Sequence, residues 1–179
     1  MLKKILLGLV VIIAIFLAVV AFQPANFNVT RTTTIAAPVS AVFGQVNDFH
    51  NWPNWSPWAK LDPAMKDSYD GPVSGTGAHY QWSGDSKVGK GAMTITESRA
   101  NELVRIKLEF IEPFAAVNTA DFAFKSEGNQ TTVTWSMYGE NNFLSKAMCL
   151  FVSMDKMVGG DFEKGLAQMK STSEAAAKK

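Results

Sequence analysis

Leu103-Val104-Arg105-Ile106-Lys107-Leu108-Glu109-Phe110-Ile111 decides how this chain folds. Ile106, Leu108 and Phe110 alternate with Arg105, Lys107 and Glu109. A strand meets that period of two by turning one side to a core and the other to water. Outward from this stretch the alternation recurs from Met65 to about Glu140, interrupted at Gly71-Pro72, Gly84-Asp85, Arg99 to Glu102, Glu112-Pro113 and Glu127-Gly128-Asn129. Breaks of that composition read as tight turns. The candidate strands are therefore 66–70, 77–82, 89–97, 103–111, 116–125 and 131–138.

Parity along these strands predicts one shared apolar face. Tyr80 and Trp82, then Met93 and Ile95, join Ile106, Leu108 and Phe110 on it. The last two strands add Phe122 and Phe124, and Val133, Trp135 and Met137. Parity also turns two charges toward this face near strand ends: Arg31 aligns with Val29, Thr33 and Ile35, and Glu97 with Met93 and Ile95. A buried charge needs a partner, so the two either pair, or orient the polar head of an amphipathic ligand, or sit at an exposed rim.

Upstream, the Thr- and Val-rich segment Phe27 to Ile35 reads as a seventh strand, and Val39, Val42, Phe43 and Val46 space a short helix over 38–47 that begins at Pro38. Asp48 to Trp58 holds two prolines and three tryptophans, Trp52, Trp55 and Trp58, and reads as an irregular connection packed on the core. Downstream the period is helical again. Phe143 to Phe151 forms one short helix, and Met154, Val158, Phe162, Leu166 and Met169 mark one side of a longer one that reaches about Lys170. Gly159, Gly160 and Gly165 interrupt it, each costing roughly 0.5–1 kcal/mol relative to alanine, and close approach of a neighbour is the compensation to look for.

The N-terminus is a different material. Ile5 to Phe22 runs eighteen residues without a charge, about 27 Å as a helix against roughly 30 Å of bilayer hydrocarbon. A cleaved signal peptide has a similar basic start but a shorter apolar run, about 7–15 residues. Lys3 and Lys4 precede the run and only Arg31 follows nearby, which keeps the N-terminus cytoplasmic and places the domain on the periplasmic or extracellular side, secreted if the segment is cleaved. This divides the chain into an anchor with a short linker at 1–26, a domain at 27–171 and a flexible tail at 172–179. The net charge of +1 excludes a general attraction to nucleic acid, and lone Cys149 excludes an internal disulfide framework.

Strand, helix, tryptophan-proline connection, six strands and a long C-terminal helix resemble the START-like superfamily, the SRPBCC group that includes polyketide cyclase/dehydrase-like proteins. The most recognisable pieces are Ile35-Ala36-Ala37-Pro38 running into Val42-Phe43, the 48–58 connection, Gly77 to Trp82, and Gly165-Leu166 through Lys170. The resemblance implies an α+β helix-grip fold: a seven-stranded antiparallel sheet wrapped around the C-terminal helix, here preceded by one transmembrane helix. It also implies an apolar cavity between sheet and helix that takes lipids, sterols, hormones or polyketides.

Trp82, Trp135, Phe110, Phe122 and Phe124, with flexible Met93 and Met137, offer more aromatic and thioether surface than tight aliphatic packing needs. With Tyr80, Ile95, Ile106, Leu108, Phe162 and Leu166 they form the candidate ligand-binding set, with Arg31 and Glu97 as candidate polar residues. No catalytic residue is assigned. His50 and His79 stand apart, no metal-ligand spacing occurs, and no cofactor or metal is expected. The expected function is membrane-anchored binding of a hydrophobic or lipid-like small molecule. A polyketide cyclase/dehydrase-type enzyme and a ligand-free accessory domain are the alternatives.

Overall fold

A computed structural model describes residues 2–178. The chain begins with helix α1 (Leu2–Ala21), whose side chains are exposed along its length except Val20. Four residues, Phe22 to Ala25, separate α1 from strand β1 (Asn26–Ile35). Helix α2 (Val39–Asn47) follows with Pro38 as its cap, and Val42 and Val46 face the core. The connection is more regular than its two prolines suggest, since Phe49–Asn54 forms a short 3-10 helix capped by the Asp48 side chain.

Six strands come next: β2 (Lys66–Asp70), β3 (His79–Ser83), β4 (Lys90–Arg99), β5 (Leu103–Glu112), β6 (Ala116–Glu127) and β7 (Gln130–Glu140). They form one seven-stranded sheet in the order β1-β7-β6-β5-β4-β3-β2, with every pair antiparallel. Helix α3 (Phe143–Cys149) and the long helix α4 (Met154–Ala177) complete the chain. This is the helix-grip arrangement, with α4 lying against β1, α2 and the 3-10 helix.

Two glycines of α4 mark its closest approaches. A Cβ on Gly159 would strike the Arg31 guanidinium, and one on Gly165 would lie 2.9 Å from the Trp135 ring and 3.1 Å from Pro57. Gly160 meets nothing, so close approach does not explain it. The segment 172–177, expected to fray, instead continues α4. Ser173 is buried, and Glu174 Oε1 accepts from the Ala36 N–H at 2.9 Å, fixing the last turns to the end of β1.

Parity failed at one strand position. Between β4 and β5, Ile95 opposes Ile106 but Glu97 opposes Arg105, so Thr96 is the extra residue of a bulge. One inserted residue reverses the facing of everything beyond it. Glu97 therefore lies on the outer face, where Arg105 Nη1 donates to Glu97 Oε2 at 2.8 Å and the same guanidinium grips Asp121 at 2.8 and 2.9 Å. Tyr138 adds a hydroxyl donated to Asp121 at 3.2 Å. This network holds the Arg105 pKa above its usual value, chiefly through Asp121.

Candidate functional site

Strand register divides the inner face into levels. Val29, Met137, Ala120, Ile106 and Ile95 lie at one level, and Trp135, Phe122 and Val104 at the next, farther from α1. All of these are buried. Toward the end where α1 delivers the chain, the levels run through Asn118, Leu108, Met93 and Tyr80, then Ala116, Phe110, Gly91 and Trp82. There Tyr80, Trp82, Leu108 and Phe110 are only half-buried, although Met93 remains covered.

The sealed part is sealed by aromatics. Trp135 stacks on Phe162 of α4 with ring centres 4.0 Å apart and planes 4° from parallel, and on its cross-strand neighbour Phe122 at 4.8 Å. Trp52 and Trp55 pack edge-on against Phe122, both 5.9 Å away, while Trp58 meets Trp135 and Phe162 at 5.8 and 6.3 Å. The indole N–H groups of Trp52 and Trp55 donate to the Val46 and Gln45 carbonyls of α2, which ties the connection to that helix. Sheet and α4 therefore touch at Trp135, and the apolar cavity expected between them is closed there. The connection's tryptophans occupy it because three large rings with two partnered N–H groups leave water only by entering the core.

Trp135 Nε1 is buried with no hydrogen-bond acceptor among the described residues, an arrangement that costs about 1–3 kcal/mol if nothing supplies one. Asn118, 7% exposed, is a second polar group on the inner face. It lies at the half-open level and its amide oxygen is so close to Gly139 that a Cβ there would overlap it. The sequence reading missed Asn118. Its parity with Ala120, Phe122 and Phe124 was the available signal, overlooked because only apolar members of the alternation were gathered.

The remaining candidates are placed as follows. Ile95, Ile106, Phe122, Phe124, Val133, Trp135 and Met137 line the sealed part of the sheet, opposite Phe162 and Leu166 of α4. Arg31 is on the inner face at the β1 edge, but its partners are on α4 rather than Glu97: Nη1 donates to Asp155 at 2.7 Å and Nε to Glu163 at 2.7 Å. These bonds raise the guanidinium's pKa and lower that of the Asp155 carboxyl. His50 Nδ1 is 2.7 Å from Asp48 and its ring stacks 4.1 Å from Tyr69 at the β2 edge. His79 is engaged by Thr94 and Gln81, both at 2.8 Å. Burial, with Asp67 nearby, pushes the Tyr80 hydroxyl pKa well above its usual value, so it is protonated at neutral pH.

Two open hollows flank α4. One, about 200 Å³, lies between Pro53, Pro57, Lys164 and Gln168. The other, about 250 Å³, lies between Arg31, Thr33, Glu163 and Lys170. Both are smaller than the ~300–1,000 Å³ of ordinary ligand pockets, and both are rimmed by charge.

Comparison with known proteins agrees with this architecture. A Staphylococcus aureus protein of unknown function superposes with TM-score 0.65 at 12% identity, covering 89% of this chain and 99% of its own. A Mycobacterium smegmatis protein gives 0.57 at 19%, covering 83% and 92%. The Aha1 dimer from Colwellia psychrerythraea gives 0.54 at 13%, covering 84% and 96%. At these identities the likeness is one of fold. No curated protein sequence matches the chain significantly. The family described as polyketide cyclase/dehydrase and lipid transport matches residues 26–174, nearly all of the chain beyond α1, and the chain belongs to that family.

Proposed function

We propose that this protein is a membrane-anchored binding protein for a hydrophobic or amphipathic, lipid-like molecule. The ligand lies against the half-open end of the inner face, touching Tyr80, Trp82, Met93, Leu108 and Phe110. Behind it, Ile95, Ile106, Phe122, Phe124, Trp135 and Met137, with Phe162 and Leu166 of α4, form a stiff floor. The observation that carries this reading is the burial gradient: one sheet face is closed at the far end and left half-exposed, with aromatic side chains, at the end nearest α1. The family's description as lipid transport supports the same class of ligand. Apolar burial, at about 25 cal/mol per Å², supplies the affinity, and Asn118 at the same level orients a ligand oxygen. The anchor crosses the bilayer with its N-terminus in the cytoplasm, and the domain works on the other side.

Native mass spectrometry of the full chain released from detergent, with solvent extraction of whatever co-purifies, tests this. A bound hydrophobe that is lost in a Trp82→Ala, Phe110→Ala double variant is the expected result. A chain that carries nothing, and that takes up no added fluorescent fatty acid or phospholipid, would make the domain a solid accessory module.

A further inference from the structure

Among the described residues, large apolar side chains that are exposed outside α1 gather chiefly at one end of the sheet. Register sets which parts of the molecule share an end. The start of β1, the end of β3, the start of β4, the end of β5, the start of β6 and the end of β7 all lie where α1 joins the sheet. At that end the last residues of β5 and the turn after it expose Ile111 and Phe114, and α3 with its continuation exposes Phe143, Leu144, Phe151 and Val152. Phe151 is 80% exposed, a position at which a soluble surface gains nothing from phenylalanine. Outside this patch and beyond the linker, the exposed large apolar side chains are Leu61 before β2, Tyr69 on β2, Val73 after it, Val117 on β6 and Met157 on α4.

The second observation is depth. α3 packs against α1, whose one buried residue, Val20, stands at its outer end. Twenty residues of helix rise about 30 Å, the thickness of the hydrocarbon layer. A protein element that covers Val20 therefore lies level with the outermost turn of the span, at the boundary between acyl chains and headgroups. The linker adds no slack: Asn141 donates from its backbone N–H to the Ala25 carbonyl at 2.7 Å and from its side chain to the Pro24 carbonyl at 3.2 Å.

We infer that this end of the domain is a second, monotopic membrane contact: α3 and the Ile111–Phe114 turn are seated in the outer boundary of the bilayer that α1 spans. The occupant of the exposed apolar surface is lipid. A short helix lying in the interface beside an apolar turn is the geometry by which peripheral segments bury a few side chains among acyl chains. The half-open end of the inner face then opens toward lipid instead of bulk water. The inference rests on α1 being an uncleaved span, and is independent of whether a ligand binds.

The test uses the full chain in vesicles of phosphatidylcholine and phosphatidylglycerol at a 3:1 ratio, an illustrative composition of about one-quarter anionic lipid. A nitroxide is placed on the native Cys149 of α3, on Phe114→Cys in a Cys149→Ser background, and on Val73→Cys in the same background as the far-end control. Collision with oxygen, which concentrates in acyl chains, is compared with collision with a water-soluble nickel chelate. The labels at 149 and 114 should show an oxygen-to-nickel ratio several-fold above that at 73. Equal nickel access at all three sites overturns the inference. So does shielding of 149 and 114 from both reagents, which means that protein covers the patch. Co-flotation resistant to alkaline carbonate checks α1 separately; a chain that washes off loses the anchor, and the monotopic contact with it.

Discussion

The two ends of one sheet face obey different rules. Far from α1, Trp135, Phe122 and Phe162 meet ring to ring, the connection's tryptophans fill the remaining space, and the inner apolar side chains are buried, with Arg31 and Thr33 partly exposed at the β1 edge. Near α1, strands β3 and β5 of the same sheet present Trp82, Leu108 and Phe110 half-covered. The backbone is continuous across the two, so the contrast is made by what is laid on top: α2, α4 and the Asp48–Trp58 connection over one end, little over the other. Stability is concentrated where the cover is complete, and on the proposed reading the other end exchanges its contacts for those of a guest.

If that division holds, substitutions at the two ends have opposite signatures. Trp135→Ala removes both stacking partners of a buried ring and is expected to cost about 3–5 kcal/mol, as for other large-to-small core changes. Phe110→Ala should cost only about 1 kcal/mol while weakening binding of a fluorescent lipid probe at least roughly tenfold. Equal losses in urea denaturation would erase the distinction. Gly165→Ala sharpens it: the added methyl is pressed between Trp135 and Pro57, and overpacking of about 1–3 kcal/mol outweighs a helix-propensity gain of about 1 kcal/mol. A stabilised Gly165→Ala would show slack in the sealed end. Asn118→Leu should leave stability within about 1 kcal/mol and shift preference from oxygen-bearing to plain hydrocarbon probes, read as a change in relative displacement. Unchanged preference removes Asn118 from the site.

The smallest effect belongs to Arg31, which ties the β1 edge to α4. Because the Asp155 carboxyl is held below its ordinary value of 3.8, chiefly by the Arg31 hydrogen bond, the contact stabilises the fold at neutral pH and above. It is lost as pH falls through the lowered value. Wild type and Arg31→Met should therefore differ in thermal stability at pH 7 and converge in acid once the Asp155 carboxyl is protonated in the folded state. A gap that persists at low pH would assign Arg31 a packing role instead.

Much of this contrast was legible in the sequence because alternation encodes facing directly: Ile106, Leu108 and Phe110 lie on the face their spacing gives them. Glu97 was misplaced because a single extra residue at Thr96 leaves no mark in composition, and only the partner strand defines it. The closure at Trp135 was hidden for a related reason. Parity tells which way a ring points, whereas which other rings meet it depends on the path of an irregular connection. The helical run beyond Ser171 was obscured by its small polar residues, although Ala175 to Ala177 favour helix once Ser173 and Glu174 are docked.

The bonds from Asn141 to the Pro24 and Ala25 carbonyls have a mechanical consequence. If α1 spans a bilayer as proposed, a sheet bolted to it cannot act as an arm that swings across an aqueous gap. Any tilt of that helix is passed directly to the domain. A ligand of the kind proposed would then be taken from, and returned to, the same leaflet, which suits a receptor or a handover station better than a ferry between two membranes.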